Sequence, residues 1–260
     1  MILNIFKEQR RTLLIKNLLG YASDLDLVFL FDDEAPDAPL NYARLSQRIN
    51  TWLNSTTAAG QLYDTDLRLR PDGDSGLTVS QFGGFSEYQR HKAWVWEHQA
   101  LSRARFVAGD AAIGARFEAL RNDILCLPRD LETLRKEIVA MRKKMQAGHP
   151  NKSGLFDLKH GHGGIVDIEF MVQYLVLGHA HCHPALTGNI GNLALLKLAT
   201  QLGLLEAAAA TAAHAAYREY RRLQHALRLR GERYARVPWP SVEAHTLAVR
   251  ALWQQVMADG

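Results

Sequence analysis

The sequence predicts an α/β domain followed by an all-α helical bundle. Apolar side chains alternate with a period of two over residues 24–31 and again over residues 61–70, a pattern typical of β-strands. A stretch with helical spacing, residues 41–53, separates the two strands. From about Ser86 the strand signals end, and long amphipathic segments with capping residues follow.

The first part of the chain contains one strand–helix–strand unit. Residues 1–20 begin apolar and then become basic, which indicates a short helix or a loosely held arm. The strand that follows leads into an acidic loop with two prolines, and the helix after it has Leu45, Ile49 and Leu53 at i, i+4 and i+8.

The second part is predicted to be helical throughout. The expected helices span residues 86–105, 110–125, 130–147, 165–179, 192–203, 205–230 and 241–258. In the third of these, acids lie early and bases late, which matches the helix dipole, and Gly148 and Pro150 end it. We expect the α/β domain at residues 1–108 and the helical bundle at residues 109–260.

The composition is that of a globular protein with a sizeable core. The net charge is +4 and 47% of the residues are hydrophobic. The Lys and Arg residues do not form a dense stripe with interleaved aromatics, so we expect no nucleic acid as partner. The sequence shows neither a signal peptide nor a long apolar run, and Cys126 and Cys182 are far apart. These features favour a cytoplasmic protein with reduced thiols and no membrane association.

Three aspartates form the main candidate site. Asp24 and Asp26 are two residues apart at the start of the first strand, so both point to one face. The strand–helix–strand unit can place Asp66 of the second strand beside them. Carboxylates that lie together repel each other unless a cation separates them, and oxygen ligands suit Mg²⁺ or Mn²⁺. The alternative is an acidic strand that only faces water.

This arrangement resembles the nucleotidyltransferase superfamily of polymerase beta type, in which such acids hold two Mg²⁺ ions around a nucleoside triphosphate. Longer stretches are more specific. They are GYASDLDL at residues 20–27, DLRLRP at 66–71, WVWEHQALSRAR at 94–105 and GGIVDIEF at 163–170. Together they resemble the C-terminal, adenylylating half of the bacterial glutamine synthetase adenylyltransferase, over about residues 19–258.

The resemblance implies transfer of AMP from ATP to a tyrosine hydroxyl of glutamine synthetase, under control of the PII signal protein. It implies catalytic and metal-binding roles for Asp24, Asp26 and Asp66, with Mg²⁺ or Mn²⁺ as cofactor. The residues implied to bind the nucleotide are Ser23, Arg68, Arg70, Arg103 and Arg105. For the last two, the alternative is a basic helix end without a ligand.

The chain departs from the family pattern before the first strand. Members of the family carry Gly-Lys-Leu-Gly-Gly where this chain has Thr-Leu-Leu-Ile-Lys at residues 12–16, and Glu where it has Leu18. Those glycines let backbone amides approach the phosphates. We expect a truncated or altered protein in which residues 1–18 are not family sequence and the AMP-removing half is absent. The alternative function is a non-catalytic module that binds glutamine synthetase or PII.

Two further patterns have structural alternatives. Asp167 and Glu169 lie near the start of a helix, where acids favour the helix dipole, or they contact a partner protein. The histidines at 160, 162 and 179–183 are of a ligand type that zinc accepts. Their placement beside glycine or Pro184 is more typical of polar loops and helix ends, so no zinc site is expected.

Overall fold

The computed structural model describes residues 2–5, 24–58, 60, 64–71 and 77–257. They form two compact units, Met1–Leu125 and Cys126–Gly260. This division lies later in the chain than the boundary expected at residue 108. The reason is the helix after residue 110: its Glu118 accepts a hydrogen bond from the backbone N–H of Phe106. The domain assignment by function stays a prediction.

The first unit is an α/β unit with one five-stranded sheet. Its strands are β1 (Ile2–Ile5), β2 (Leu25–Phe31), β3 (Thr65–Asp66), β4 (Val79–Gln81) and β5 (Ala104–Ala108). Its helices are α1 (Ala38–Leu53), α2 (Phe82–His91), α3 (Val95–Leu101) and α4 (Ala111–Leu125). The sheet order is β3-β2-β1-β5, and β4 also pairs with β2. Strand β1 is antiparallel to both neighbours, whereas β3 and β4 run parallel to β2.

Strand β2 is the centre of the first unit and confirms the strand predicted at residues 24–31. Its residues Leu27, Phe29 and Phe31 are buried together with Ala38 and Ala43 of α1. The residues of the opposite face are buried as well. Burial of both faces explains why β2 is apolar at nearly every position after Asp26.

Three expectations for the first unit are wrong. Residues 2–5 form a strand in the middle of the sheet rather than a helix or arm. Of the strand expected at residues 61–70, the structure assigns only Thr65–Asp66 to a strand, and residues 61–63 lie outside the described part. The helix expected at residues 86–105 is divided into α2, α3 and β5, because residues 104–108 pair with β1.

The second unit is mostly helical, as predicted. It contains α5 (Leu131–Ala147), β6 (Phe156–Asp157), α6 (Ile165–His179), α7 (Asn192–Gln201), α8 (Ala207–Leu229), β7 (Arg236–Val237) and α9 (Glu243–Met257). Strands β6 and β7 form a short antiparallel pair. Helix α6 is the core: 14 of its 15 residues are buried. Across the described ranges of both units, no helix has the length and apolar character needed to span a membrane.

Candidate functional site

Asp26 and Asp66 are register partners on the parallel strands β2 and β3. Side chains of paired residues on adjacent strands point to the same face of a sheet. The two carboxylates therefore lie side by side, as the strand pattern predicts. Asp26 is 8% exposed and Asp66 is half-buried. A pair of carboxylates at this depth is a suitable set of oxygen donors for a hard divalent cation.

A polar network at the end of α1 holds β3 in this position. Oδ1 of Asn54 accepts a hydrogen bond from the backbone N–H of Thr65 at 3.2 Å. Nδ2 of Asn54 donates one to the hydroxyl of Thr65 at 2.5 Å. The hydroxyl of Thr65 in turn donates to Oδ1 of Asn50 at 2.5 Å. Strand β3 is only two residues long, so these contacts with α1, together with its pairing to β2, fix the position of Asp66.

Asp24 lies outside this pair. It precedes β2 directly and is exposed. Among the residues that the structure describes, no group of three or more His, Cys, Asp or Glu side chains is arranged to hold a metal ion. The structure therefore brings two of the three predicted acids together, and it does not form a three-carboxylate cluster. The metal-binding role of the three stays a prediction.

Arg68 contacts Asp66 directly. Its Nε lies 3.0 Å from both carboxylate oxygens, and its second terminal nitrogen lies 2.5 Å from Oδ2. The backbone N–H of Arg68 also donates to Oδ1 at 2.9 Å. The Arg68 side chain is 71% exposed, so its guanidinium can exchange this partner for another anion at little cost. In this conformation the Arg68 guanidinium already forms an ion pair with the Asp66 carboxylate.

The other predicted nucleotide ligands have different surroundings. Arg70 lies in the turn after β3 and donates to the carbonyl of Leu67 at 2.5 Å. Arg103 directly follows Ser102, the C-cap of α3, and donates its backbone N–H to the carbonyl of Ala100, so it lies at a helix end. Arg105 lies within β5. Ser23 and the glycine-replacing stretch at residues 12–16 lie outside the described residues.

The tryptophan-rich block contains structural contacts that the sequence did not reveal. Glu97 is buried, accepts a hydrogen bond from the backbone N–H of Trp94 at 2.8 Å and accepts another from the hydroxyl of Tyr88 at 3.1 Å. It therefore caps α3 and ties it to α2. His98 is also buried, with Nε2 at 2.9 Å from the carbonyl oxygen of Gln89.

A buried arginine of α4 fixes the turn that leads into β5. Arg121 donates from Nε to the carbonyl of Leu101 at 3.0 Å and from a terminal nitrogen to that of Ser102 at 2.7 Å. Burial lowers the pKa of the Arg121 guanidinium. A signal existed in the sequence: Arg121 falls on the apolar stripe between Phe117 and Ile124.

In the second unit, Asp167 of the glycine-rich block has structural partners. Its side chain is 2% exposed and forms an ion pair with Arg142 of α5. It also accepts a hydrogen bond from the backbone N–H of Gly163 at 2.5 Å. Glu169 is buried and accepts one from Tyr217 at 3.4 Å. These contacts support the structural role rather than contact with a partner protein.

The histidines also have local partners. The ring of His160 stacks on that of His149 with centroids 3.8 Å apart, and Nδ1 of His162 lies 3.3 Å from Asp167. Burial lowers the pKa of His160 to about 3, so the ring is neutral near pH 7. The pKa of His179 is lowered first by burial and then by the neighbouring His183 and His181.

Two families match separate parts of the chain. Residues 17–120 match the family described as Glutamate-ammonia ligase adenylyltransferase. Residues 133–251 match the family described as GlnD PII-uridylyltransferase. The first match includes every predicted acid and arginine of the candidate site, and the second falls within the helical unit.

Curated proteins match the chain over nearly its whole length. The bifunctional glutamine synthetase adenylyltransferase/adenylyl-removing enzyme of Aromatoleum aromaticum is 60% identical over 241 residues, 93% of this chain and 26% of the relative. The proteins of the same name from Bordetella bronchiseptica and Chromobacterium violaceum are both 57% identical. This chain spans about a quarter of the length of these relatives. With this identity over 93% of its length and the family match over residues 17–120, the chain is similar to one part of the glutamine synthetase adenylyltransferases.

Proposed function

We propose that the first unit is a nucleotidyltransferase of polymerase beta type that transfers AMP from ATP to a tyrosine hydroxyl of glutamine synthetase. The observation that supports this proposal most directly is the register of Asp26 with Asp66 inside the stretch that matches the adenylyltransferase family. The names of the curated relatives include glutamine synthetase adenylyltransferase, which supports adenylyl transfer in general. We further propose that the protein acts in the cytoplasm.

In this proposal Asp26 and Asp66, with Asp24 as the third ligand, hold Mg²⁺ or Mn²⁺. Their donors are oxygens, the ligand type that both ions prefer, and two of them already lie side by side. A bound ion would offset the negative charge of the triphosphate and make the α-phosphorus easier to attack. The buried position of Asp26 limits access of water to this point.

The arginines supply positive charge for the triphosphate, and Ser23 supplies a hydroxyl that can donate a hydrogen bond to it. Arg68 has a double role, because it can balance Asp66 before ATP binds and contact phosphate afterwards. Arg70 follows β3 in sequence, Arg103 directly precedes β5 and Arg105 lies within β5; both strands belong to the same sheet. Arg121 holds the turn around Arg103 and is a positioning residue.

We propose that the second unit links this activity to nitrogen status through the PII signal protein. This rests on the match of residues 133–251 to a family whose name includes PII. Glutamine synthetase is the partner that the names of the curated relatives indicate.

A second candidate function is a non-catalytic module that binds glutamine synthetase or PII. Two observations favour it. The Asp66 carboxylate is already bound by Arg68. The family glycines at residues 12–16 are replaced by Thr-Leu-Leu-Ile-Lys. Loss of one preorganised donor to a developing charge commonly lowers a rate by about 10²–10³, so this replacement favours weak transfer.

The experiment is transfer of label from α-labelled ATP to purified glutamine synthetase, with mapping of the modified residue. We expect slow labelling of a tyrosine that Asp26→Asn abolishes. Asp123→Asn removes an exposed acid of the same unit and should change the rate little. Replacement of residues 12–16 by Gly-Lys-Leu-Gly-Gly should raise the rate. Absence of labelling in every variant, with retained binding to glutamine synthetase, would instead support the second candidate.

A further inference from the structure

The second unit contains a cavity of about 580 Å³ that the proposed transfer reaction does not use. It lies between the end of α5, the loop that leads into β6, the second half of α8 and the segment that joins α8 to β7. Its volume is in the range of pockets that hold small molecules, roughly 300–1,000 Å³.

The charged residues that line this cavity are mostly cations. They are Lys152, Lys159, Arg228, Arg233, Arg236 and Asp157. Asp157 is already engaged: its Oδ2 lies 3.2 Å from Nε of Arg236, and its Oδ1 accepts hydrogen bonds from the backbone of the loop that follows. Asp157 therefore does not balance Lys152, Arg228 or Arg233, and the lining carries more positive than negative charge.

Several contacts give the cavity a fixed shape. Arg228 donates to the carbonyl of Glu232 at 2.8 Å and to that of Arg233, which holds the segment after α8. The guanidinium of Arg236 lies 4.3 Å from the centre of the Tyr234 ring. The stacked rings of His149 and His160, with centroids 3.8 Å apart, also line the cavity. The chain thus places five cations around one space.

We propose that this cavity binds a small molecule that carries a di- or triphosphate group. Several positive charges around one space are best balanced by a ligand with several negative charges close together, which a polyphosphate has and a single carboxylate lacks. Guanidinium groups can contact phosphate oxygens in pairs, and lysines add point charges. All lining residues belong to the second unit, so the site is separate from the aspartates of the first unit.

The test is isothermal titration of the full chain with inorganic tripolyphosphate in EDTA, which keeps divalent cations away from the aspartates. We expect saturable binding at about 0.15 M salt, where the screening length is about 8 Å. The double variant Lys152→Gln/Arg233→Gln removes two exposed cations of the cavity and should weaken binding about tenfold or more, which corresponds to about 1.4 kcal/mol.

The matched control is Lys143→Gln/Lys197→Gln. It removes the same charge from two exposed positions of the same unit that do not line the cavity. We expect near wild-type affinity, and circular dichroism should show both double variants folded. The proposal fails if tripolyphosphate does not bind, if the two double variants bind it equally well, or if citrate binds as tightly as tripolyphosphate.

Discussion

Arg142 of α5 and Asp167 of α6 form an ion pair inside the second unit, where both side chains are almost fully buried. Arg142 also donates to the carbonyls of His160 and Gly161, at 2.9 and 3.3 Å. The pair therefore fixes the loop before α6 as well as the packing of two helices. Removal of one partner leaves a buried charge without compensation, which is far more costly than loss of a surface pair.

We expect Arg142→Leu to lower the free energy of unfolding of the second unit by about 3–5 kcal/mol. Lys136→Leu on the same helix removes an exposed pair with Glu132 and should cost about 0.5 kcal/mol or less. Hydrogen exchange of peptides from α6, followed at several urea concentrations, reports the free energy of unfolding of the second unit within the full chain. Equal effects of the two variants would contradict the structural role of the buried pair.

Gly163 has a positive φ of 87°, and a Cβ at this position would lie 2.6 Å from Cγ2 and 2.8 Å from the carbonyl oxygen of Thr246. Gly154 has a similar φ of 70°, but a Cβ there would meet no atom within 4 Å. Gly154→Ala should therefore cost about 1–2 kcal/mol, from backbone strain alone. Gly163→Ala should cost about 1–3 kcal/mol more, from overpacking. Thermal unfolding followed by circular dichroism gives the loss of stability of each variant. A smaller loss for Gly163→Ala than for Gly154→Ala would be inconsistent with the contact between residue 163 and Thr246.

The ion pair of Arg68 with Asp66 leads to a prediction on metal affinity. Arg68→Ala removes the cation that occupies the carboxylate, so Mn²⁺ should bind up to about fivefold more tightly in the absence of nucleotide. Arg48→Ala removes the same charge from an exposed position of α1 and should have a smaller effect. Asp66→Asn should weaken binding. Electron paramagnetic resonance of free Mn²⁺ gives the affinities, and unchanged binding by Arg68→Ala would show that the arginine does not compete.

The half-buried ring of His160 makes the stability of the second unit depend on pH. Burial lowers the pKa of this ring from 6.5 to about 3 in the folded state. As the pH falls below about 6.5, His160 becomes protonated in the unfolded chain. In the folded state the same ring becomes protonated only near pH 3. Stability from this group is therefore present above about pH 6.5 and is lost progressively as the pH falls toward 3.

The corresponding measurement is the free energy of unfolding at about pH 7 and about pH 5 in urea. His160→Gln should show a smaller loss between the two pH values than the wild type, whatever its absolute stability. His181→Gln changes an exposed histidine and serves as control. An unchanged pH dependence in His160→Gln would mean that the ring does not stay neutral in the folded state.

The two compact units predict different behaviour of two fragments. Residues 126–260 contain the second unit alone and should unfold cooperatively on heating. Residues 109–260 also carry α4, whose Phe117 and Ile124 are fully buried in the first unit. We expect the longer fragment to bind more of an apolar dye, because these side chains lose their neighbours from β5, α2 and α3. A longer fragment that is more stable than the shorter one would favour the boundary at residue 108.

Only the centre of the sheet, β2 with the position of β3 beside it, could be predicted from the sequence, because β2 combines an alternating pattern with one helix before its parallel neighbour. That combination was sufficient to predict that Asp26 and Asp66 share a face. Strand β5 was missed because its stability depends on pairing with residues 2–5, about a hundred positions away. A short segment of this kind carries no local signal that outweighs the helix-like residues before it.

The contacts of the candidate site were harder to predict than its position. The chain leaves the strand after Asp66, and this turn brings the Arg68 side chain back onto the carboxylate. The alternation of apolar and polar residues predicts a strand but does not show where the chain turns away from it. The cationic cavity was missed for another reason: its lining comes from four segments between residues 148 and 236, and their meeting depends on tertiary packing alone.

Helix α6 also limits how this protein can vary. Because 14 of its 15 residues are enclosed, almost every substitution in it must match the volume of the side chain that it replaces. At Gly178 a Cβ would lie 2.8 Å from Cδ2 of Leu131, so that side chain would have to move to accept it. Mutational scanning should therefore find the second unit least tolerant along this one helix. The freedom for the unit to diverge, and so to acquire new binding properties, lies in the helices around it.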